Sequence, residues 1–387
     1  MKMFLRVAGL TVPFHLLLPF QAFADGTHPE EQAGAGWGTY MLLAFASLLV
    51  LTLIAYFLQK KRVDGLKNVK RPEDRELRQR LSSRVNVMKW AWILSLTGLV
   101  LTGAINLVVS QNKDGKMTMD HIHGIGYSKD GQRLMFAAHD GLRFYSQGHW
   151  SVGSGEKNDY MGFTVFDQGF YSSGHPAQGS KLKNPFGVVR SLDEGKTVEP
   201  LAYYGQIDFH LMNAGYTTHT LYVYNPQSQP QMKEAGLYYS KDEGKTWLKS
   251  EMNGLTGEPA AIAAHPDQAS VVVIGTVNGV YISRDDGKTF EALLTGKQIT
   301  SLSFNSKGRL YVGTYSQKQP GLLEMRPETK ETRDISIPQL ENDAVAFIAV
   351  NPMVDNEISF ATFNRQAYMS ADQGNSWKQI VKQGKSK

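Results

Sequence analysis

Ser240-Lys-Asp-Glu-Gly-Lys-Thr-Trp247 is one of four copies of the same eight-residue motif in this 387-residue chain. The other copies are Ser191-Leu-Asp-Glu-Gly-Lys-Thr-Val198, Ser283-Arg-Asp-Asp-Gly-Lys-Thr-Phe290 and Ser370-Ala-Asp-Gln-Gly-Asn-Ser-Trp377. Their first residues lie 49, 43 and 87 residues apart, and the last interval is close to twice the second. A period in the forties, carried by a turn motif between short β-rich segments, is typical of a propeller built from four-stranded blades. The repeats therefore predict an all-β propeller.

Each copy of the motif predicts a tight turn between two strands. The serine hydroxyl and the aspartate carboxylate are expected to accept hydrogen bonds from N–H groups of the same turn, and the glycine is expected to take a positive φ. The closing Trp, Phe or Val should then pack against the sheet. Because these roles are structural, we assign no catalysis to the four motif aspartates, which are Asp193, Asp242, Asp285 and Asp372.

The number of blades follows from two further turns. Segments near Ser146 and Arg326 have the same strand-turn shape without the full motif, so turns are predicted near residues 146, 191, 240, 283, 326 and 370. Six blades within 117–387 would have about 45 residues each, whereas seven, the alternative, would have about 38. The predicted innermost strands are 121–127, 160–166, 208–214, 260–264, 299–304 and 344–350. We expect no strand to be exchanged to close the ring.

The first third of the chain predicts a membrane module. Residues 1–24 have a basic start, an apolar stretch and a small-x-small site, as in a secretory signal peptide. Residues 39–58 and 90–109 lack charged side chains and are each long enough to span a bilayer as a transmembrane helix. Between them, the loop 59–89 carries eleven Lys or Arg against four Asp or Glu. The positive-inside rule places this loop in the cytoplasm and the propeller on the extracytoplasmic side of the cell membrane.

The charge and cysteine content exclude several classes of function. The loop 59–89 contributes +7 to a formal net charge of +5, so the rest of the chain, including the propeller, is near −2. We therefore expect the membrane surface, and no nucleic acid, as a partner of the basic residues. The absence of cysteine excludes disulfides, a thiolate nucleophile and a cysteine metal site.

Histidines concentrate where the first three blades begin. His121 and His123 alternate along the first innermost strand, and Asp208 and His210 along the third, so each pair is expected to share a side. Loops between second and third strands reach the same mouth of the channel, and they contain the two histidines of blades 1 and 2, which are His139 and His175.

This pattern predicts a metal site formed by His121, His123 and His210, with three further ligand-binding candidates, His139, His175 and Asp208. Imidazoles and a carboxylate suit Zn, Cu or Fe, and thioethers from Met117 and Met119 would favour copper. The alternatives are a polar organic ligand or an acid–base role at the same site, or histidines that only hydrogen-bond to the backbone.

The motif resembles the Asp-box, or BNR repeat, of sialidases, sortilin-type receptors and photosystem II assembly-factor propellers. The segments His121-Ile-His-Gly124, Gly169-Phe-Tyr-Ser-Ser-Gly-His-Pro176 and Asp208-Phe-His210 are similar to those of exported bacterial propellers filed as glycosyl hydrolases. The resemblance covers 119–387 and implies the propeller fold. Sialidases hold the substrate carboxylate with three arginines, one of them in a Phe-Arg-Ile-Pro segment. This chain has no such segment, and its predicted innermost strands contain no arginine, so sialidase activity is not expected.

Two functions remain open at this point. The short loops between blades favour a membrane-anchored extracytoplasmic module for binding or assembly, which docks a protein partner or a polar ligand on the channel face. The alternative is a glycoside hydrolase-like enzyme. It would need two carboxylates across the channel, and Asp208 with Glu258, or with Asp343, could supply that catalytic pair.

Overall fold

The computed structural model describes residues 37–67, 71–111 and 117–387. These residues belong to two compact units, one helical and one rich in β-strands. The predicted signal peptide, 1–24, lies outside the described residues.

The helical unit consists of two long helices, α1 (Trp37–Gly65) and α2 (Pro72–Gln111). The helices pack against each other, because the rings of Tyr56 and Trp92 lie 6.5 Å apart between centroids and Gly98 leaves room for the ring of Phe45. Within the described ranges, both helices are long and apolar enough to cross a membrane.

The basic segment 59–89, described from its charge as a loop, is helical over most of its length. α1 continues to Gly65 and α2 already begins at Pro72, so both helices extend beyond the apolar stretches 39–58 and 90–109. The segment is rich in Arg, Lys, Glu and Gln, and these side chains lose little rotamer freedom in a helix. Both helices therefore continue from their apolar stretch into the basic segment without a break.

The second unit is a six-bladed β-propeller in which every blade is an antiparallel sheet of consecutive strands. Blades 1 to 3 consist of β1 (Ile122–Tyr127), β2 (Leu134–Ala138), β3 (Gly141–Ser146), β4 (His149–Val152), β5 (Asp159–Phe166), β6 (Gly169–His175), β7 (Val188–Ser191), β8 (Glu199–Ala202), β9 (Met212–Ala214), β10 (Leu221–Asn225), β11 (Gly236–Ser240) and β12 (Leu248–Lys249). Blades 4 to 6 consist of β13 (Pro259–Ala264), β14 (Val272–Thr276), β15 (Gly279–Ser283), β16 (Glu291–Thr295), β17 (Gln298–Phe304), β18 (Leu310–Ser316), β19 (Gln319–Met325), β20 (Thr332–Ile335), β21 (Val345–Val350), β22 (Ile358–Thr362), β23 (Ala367–Ser370), β24 (Lys378–Lys382) and β25 (Lys385–Ser386). The predicted count of six blades is confirmed.

The antiparallel order decides which loops meet at each end of the channel. In blade 1, β1 pairs with β2, β2 with β3 and β3 with β4. The start of an innermost strand therefore lies at the same end as the loop between the second and third strands. We call this end the histidine face, since it carries His121, His139, His175 and His210. The opposite end, which carries the four repeated motifs, is called the turn face.

The core is built where neighbouring blades pack their sheets together. Glycines in β1 make room for large side chains of β5: a Cβ on Gly124 would come within 2.7 Å of Phe163, and one on Gly126 within 2.4 Å of Val165. Such contacts bury a layer of aliphatic and aromatic side chains between blades, and Phe136, Tyr171 and Phe360 have no exposed surface.

The ring closes by hydrogen bonds between the two ends of the propeller, and among the strands described in 117–387 none is exchanged between blades. The short strand β25 extends blade 6, and Lys385 forms a bridge with Thr118. The N–H of Met119 donates to the carbonyl of Gly384 at 2.7 Å, and the N–H of Ser386 donates to the carbonyl of Met117 at 2.9 Å. The start and the end of this unit are therefore held together.

The repeated motifs form turns with one set of hydrogen bonds. In the third blade, the hydroxyl of Ser240 accepts the N–H of Gly244 at 2.8 Å and donates to Asp242 Oδ1 at 2.8 Å. The two oxygens of Asp242 accept the N–H and the hydroxyl of Thr246 at 2.8 and 2.7 Å. The other three motifs repeat these bonds at 2.6 to 3.0 Å. The glycines have φ between 81° and 89°, so the predicted turn chemistry is confirmed.

These turns also join neighbouring blades. In three of them the fourth residue forms an ion pair with a cation of the preceding blade: Glu194 with Arg133, Glu243 with Arg190, and Asp286 with Lys241. The closing aromatic residues differ in burial. Phe290 is 8% exposed, whereas Trp247 is half-buried beside Tyr203 of blade 2, with ring centroids 5.8 Å apart. The turns thus stabilise the contact between blades as well as the hairpin.

Candidate functional site

The innermost strands of all six blades line a central cavity of about 190 Å³. His123 and His210 reach this cavity from the histidine face, and most of the remaining lining is small or apolar, with Asn213, Thr300 and Ser301 among the polar exceptions. No arginine lines the cavity among the described residues. The channel therefore lacks the arginine clamp that a sialidase uses for its substrate carboxylate.

Four polar residues meet where blades 1 and 2 adjoin at the histidine face, and we call them the Asp159 cluster: His121, His123, His139 and Asp159. Nε2 of His123 lies 3.3 Å from Oδ1 of Asp159, and Nδ1 of His139 lies 2.8 Å from Oδ2. The three imidazole rings form a nearly equilateral triangle, with centroids 6.0 to 6.1 Å apart. The carboxylate of Asp159, in blade 2, thus faces two imidazoles of blade 1: His123 from strand β1 and His139 from the loop after β2.

Local structure explains how this cluster forms. The pairing of β1 with β2 is irregular between Ile122 and Gly124, which places the bulge at His123. His139 follows β2 directly, and its N–H bonds to the carbonyl of His121. Asp159 begins β5, where it pairs with the last residue of β6, so its side chain is fixed at the mouth of the channel.

The centre of the Asp159 cluster is shielded from solvent. Asp159 is only 8% exposed, and neither its Oδ1 nor Nε2 of His123 has a hydrogen-bond partner of acceptable geometry among the described residues. Burial lowers the pKa of His123; the Asp159 carboxylate opposes this shift, and the neighbouring His139, His121 and His210 rings add to it. A lowered pKa favours the neutral form of His123, the form of imidazole that can bind a metal ion.

A second group, the Asp208 cluster, lies where blades 2 and 3 adjoin and consists of His175, Asp208 and His210. Oδ2 of Asp208 lies 2.6 Å from Nε2 of His210 and 3.4 Å from Nε2 of His175. Oδ1 of Asp208 accepts a hydrogen bond from the hydroxyl of Ser173 at 3.3 Å, and Nδ1 of His175 is bonded to Asn184 at 2.6 Å. Both carboxylate oxygens of Asp208 therefore already have hydrogen-bond partners.

The histidines that sequence reasoning brought to one mouth do lie at one face, but they divide differently. His210 pairs with Asp208, and His139 lies with His121 and His123. The alternation argument for Asp208 and His210 does not hold, because β9 begins only at Met212. The backbone there turns away from its own blade: the N–H of Phe209 donates to the hydroxyl of Ser173 in blade 2.

The suggested thioether ligands are placed differently from the histidines. Met119 is 1% exposed and packs in the hydrophobic core between blades 6 and 1, beside Ile122 and Val381. Met117 is half-buried, with its backbone bonded to Ser386. Neither position supports a sulfur contribution to the Asp159 cluster.

Asp159 is the residue that sequence reasoning missed. Its signal is a repeat: aspartate precedes or begins four of the six innermost strands, at Asp120, Asp159, Asp208 and Asp343. The innermost strand of blade 2 was predicted to begin at Tyr160, one residue after Asp159, so Asp159 was left out. The same comparison with Asp208 would have placed a carboxylate between blades 1 and 2.

The carboxylates suggested for glycoside hydrolysis are not equivalent in the structure. Asp343 is 5% exposed and accepts the backbone N–H groups of Ala344 and Asn364, so it holds its own blade together. Glu258 is exposed just before β13, and Asp208 is paired with histidines. A catalytic pair of Asp208 and Glu258 stays a prediction.

Comparisons with known proteins define no family. No family model matches the chain, and no curated relative matches it. It is similar to a GH74 enzyme from Niastella koreensis at 17% identity and a TM-score of 0.48, over 68% of this chain and 46% of that one. It is also similar to YCF48 bound to D1 peptide, at 15% identity and a TM-score of 0.40 over 69% and 84% of the two chains.

A third similar structure is a gluconolactonase from Xanthomonas campestris, at 11% identity and a TM-score of 0.49 over 66% of this chain and 87% of that one. The chain spans less than half the length of the GH74 enzyme. Similarities at this level assign neither activity nor substrate.

Proposed function

We propose that this chain is a membrane-anchored binding module whose propeller lies outside the cytoplasm and receives a polar ligand or a protein partner on its histidine face. The observation that carries the proposal is the gathering of five histidines and two buried or half-buried aspartates at one end of the channel, on three adjacent blades. Polar groups convergent on a small, mostly apolar cavity are typical of binding sites.

The placement in the membrane rests on the helical unit. α1 and α2 expose large apolar side chains, including Leu43, Leu51, Leu94 and Leu101, which water would not favour. The basic residues cluster in 59–89, which covers the end of α1, the connection and the beginning of α2. Such clusters stay on the cytoplasmic side. Both helices then cross the membrane, and the propeller that follows α2 lies on the opposite side.

The chain contains no cysteine, so single cysteines report sidedness without background. We expect an impermeant maleimide to label Lys233→Cys, an exposed position of the propeller, in intact cells. Ser83→Cys, in the basic segment, should react only after the membrane is opened. Labelling of Ser83→Cys in intact cells, or protection of Lys233→Cys, would contradict the proposed topology.

The binding face is tested by photo-crosslinking in living cells. A photoreactive amino acid at His210, on the histidine face, should give defined crosslinked products with a partner. The same photoreactive amino acid in place of Lys245, which is exposed on the turn face, is the matched control and should give no crosslinked products. Products from Lys245 alone, or equally from both positions, would show that the histidine face is not the docking surface.

A further inference from the structure

Resting on the proposed role of the histidine face, we propose that the Asp159 cluster binds one divalent transition-metal ion, with Zn²⁺ as the best fit. The residues differ from the set predicted from the sequence, because His139 and Asp159 join His121 and His123, while His210 belongs to the Asp208 cluster.

The donor atoms are already close to coordination distance. One ligand atom from each of His123, His139 and Asp159 lies within 4.8 Å of the other two. Ligands of a tetrahedral zinc, at Zn–N bonds of about 2.0 to 2.1 Å, stand roughly 3.4 Å from one another. Nε2 of His123 and Oδ1 of Asp159 are separated by 3.3 Å. Small side-chain rotations therefore suffice to bring three donors around one ion.

The second argument is the unsatisfied polarity at the centre. A buried carboxylate oxygen and an adjacent buried ring nitrogen each lack a hydrogen bond, and leaving such atoms unpaired is costly. One cation placed between Oδ1 of Asp159 and Nε2 of His123 would satisfy both atoms. In the Asp208 cluster, by contrast, Ser173, Asn184 and His210 already provide the hydrogen bonds. Both clusters combine histidines with one aspartate, but among the described residues only the first contains buried atoms that lack a hydrogen-bond partner.

The third imidazole completes a coordination set. Rings that share one ion at these bond lengths have centroids roughly 5 to 6 Å apart. The ring of His121 lies 6.1 Å from that of His123 and 6.0 Å from that of His139. His121 is exposed at the edge of the channel, so its ring is free to turn toward the ion. Three imidazoles and one carboxylate would then surround the metal.

The donor types select the metal. Calcium and magnesium prefer oxygen ligands, whereas imidazole nitrogens suit zinc, copper and nickel. No cysteine is present in the chain, and Met119, the thioether suggested by the sequence, is buried in the core. A site without sulfur does not favour Cu(I). A compact arrangement of three nitrogens and one oxygen fits a four-coordinate Zn²⁺.

The test uses the full-length chain, purified in detergent and stripped with a chelator. Zn²⁺ alone is titrated by calorimetry, and the zinc retained after gel filtration is measured by elemental analysis. We expect one ion per chain, with affinity at least tenfold weaker in Asp159→Asn and in His139→Gln. His139 has a 61% exposed side chain, so its replacement should leave the fold intact. Co²⁺ in place of Zn²⁺ should show the strong visible absorption of a four-coordinate site, and at equal cobalt concentration both variants should show a weaker absorption.

The matched control is Asp167→Asn. Asp167 forms a comparable pair with His219, at 2.7 Å, but lies at the other end of blade 2. Zinc binding should be unchanged in this variant. The proposal is overturned if the stripped chain, after titration with Zn²⁺ and gel filtration, retains no zinc. It is also overturned if Asp208→Asn abolishes zinc binding while Asp159→Asn does not. If zinc does not bind but position 210 gives defined crosslinks, the metal site is rejected and the binding module is supported. If zinc binds but position 210 gives no crosslinks, the metal site is supported and the docking role is rejected.

Discussion

Aspartate occurs at both faces of the propeller, but its carboxylate is surrounded differently on each. On the turn face, Asp242 accepts both the N–H and the hydroxyl of Thr246, a residue four positions along the same chain segment. On the histidine face, Asp159 meets imidazoles from another blade, and its Oδ1 has no hydrogen bond. The first carboxylate is fully used by its own turn, whereas the second is available to a ligand.

The hydrogen bonds of the turn face also make its carboxylates more acidic. Hydrogen bonds from Thr246 to its carboxylate lower the pKa of Asp242 to about 2, and equivalent bonds lower the pKa of Asp285 and Asp372 to about 2. A carboxylate stabilised in this way serves the fold, since its charge is already compensated by local donors. A motif rich in aspartate therefore serves the fold and does not by itself indicate chemistry.

The largest expected effect comes from the turn face. Phe290→Ala removes a buried side chain that packs between blades 3 and 4, and such truncations cost about 3–5 kcal/mol. Trp247→Ala, at the equivalent position, should cost less because that ring is half-buried. Urea unfolding of the full-length chain in detergent measures both. Zinc binding should persist in the folded fraction, and its selective loss at unchanged stability would break the division between the two faces.

An intermediate effect is expected from acid. The pKa of Asp242, Asp285 and Asp372 is lower in the folded chain than the ordinary 3.8, so these groups contribute stability above about pH 4. That contribution is lost as the pH falls toward 2, where the folded carboxylates become protonated. Unfolding free energies measured from pH 7 to pH 2 should therefore decrease mainly between pH 4 and 2. In Asp285→Asn the decrease should be shallower and the stability at pH 7 lower; an unchanged acid profile would contradict the role of the turn.

Local patterns in the sequence were enough to predict the architecture. The four motifs fix a hairpin through bonds within eight residues, so their spacing sets the blade period, and the predicted turns near 146 and 326 join β3 to β4 and β19 to β20. Five of the six innermost strands begin within one residue of the predicted position. The exception is β9, which begins only at Met212. Before it, the N–H of Phe209 donates to the hydroxyl of Ser173 in blade 2 and does not pair with a strand of its own blade.

The site was harder to predict because its contacts cross between blades. Alternation along a strand orients His121 and His123, but it says nothing about which carboxylate of blade 2 they will face. The pairing of His139 with Asp159 depends on the angle between neighbouring sheets and on the bulge at His123, and neither has a local sequence signal. Sequence reasoning could therefore identify the face and most of its residues, but not their division into two clusters.

The smallest expected effect is on the histidine face itself. The side chain of His210 is 66% exposed, and its hydrogen bond to Asp208 lies at the rim, where water can replace the ring. Substitutions at such positions usually change stability by no more than about 0.5 kcal/mol. His210→Ala should therefore leave the urea midpoint almost unchanged, while crosslinking from a neighbouring rim position, such as Gln206, should decrease. A loss of more than about 1 kcal/mol would mean that the Asp208 cluster stabilises blades 2 and 3, as the turns do, and that only the Asp159 cluster is free to bind a ligand.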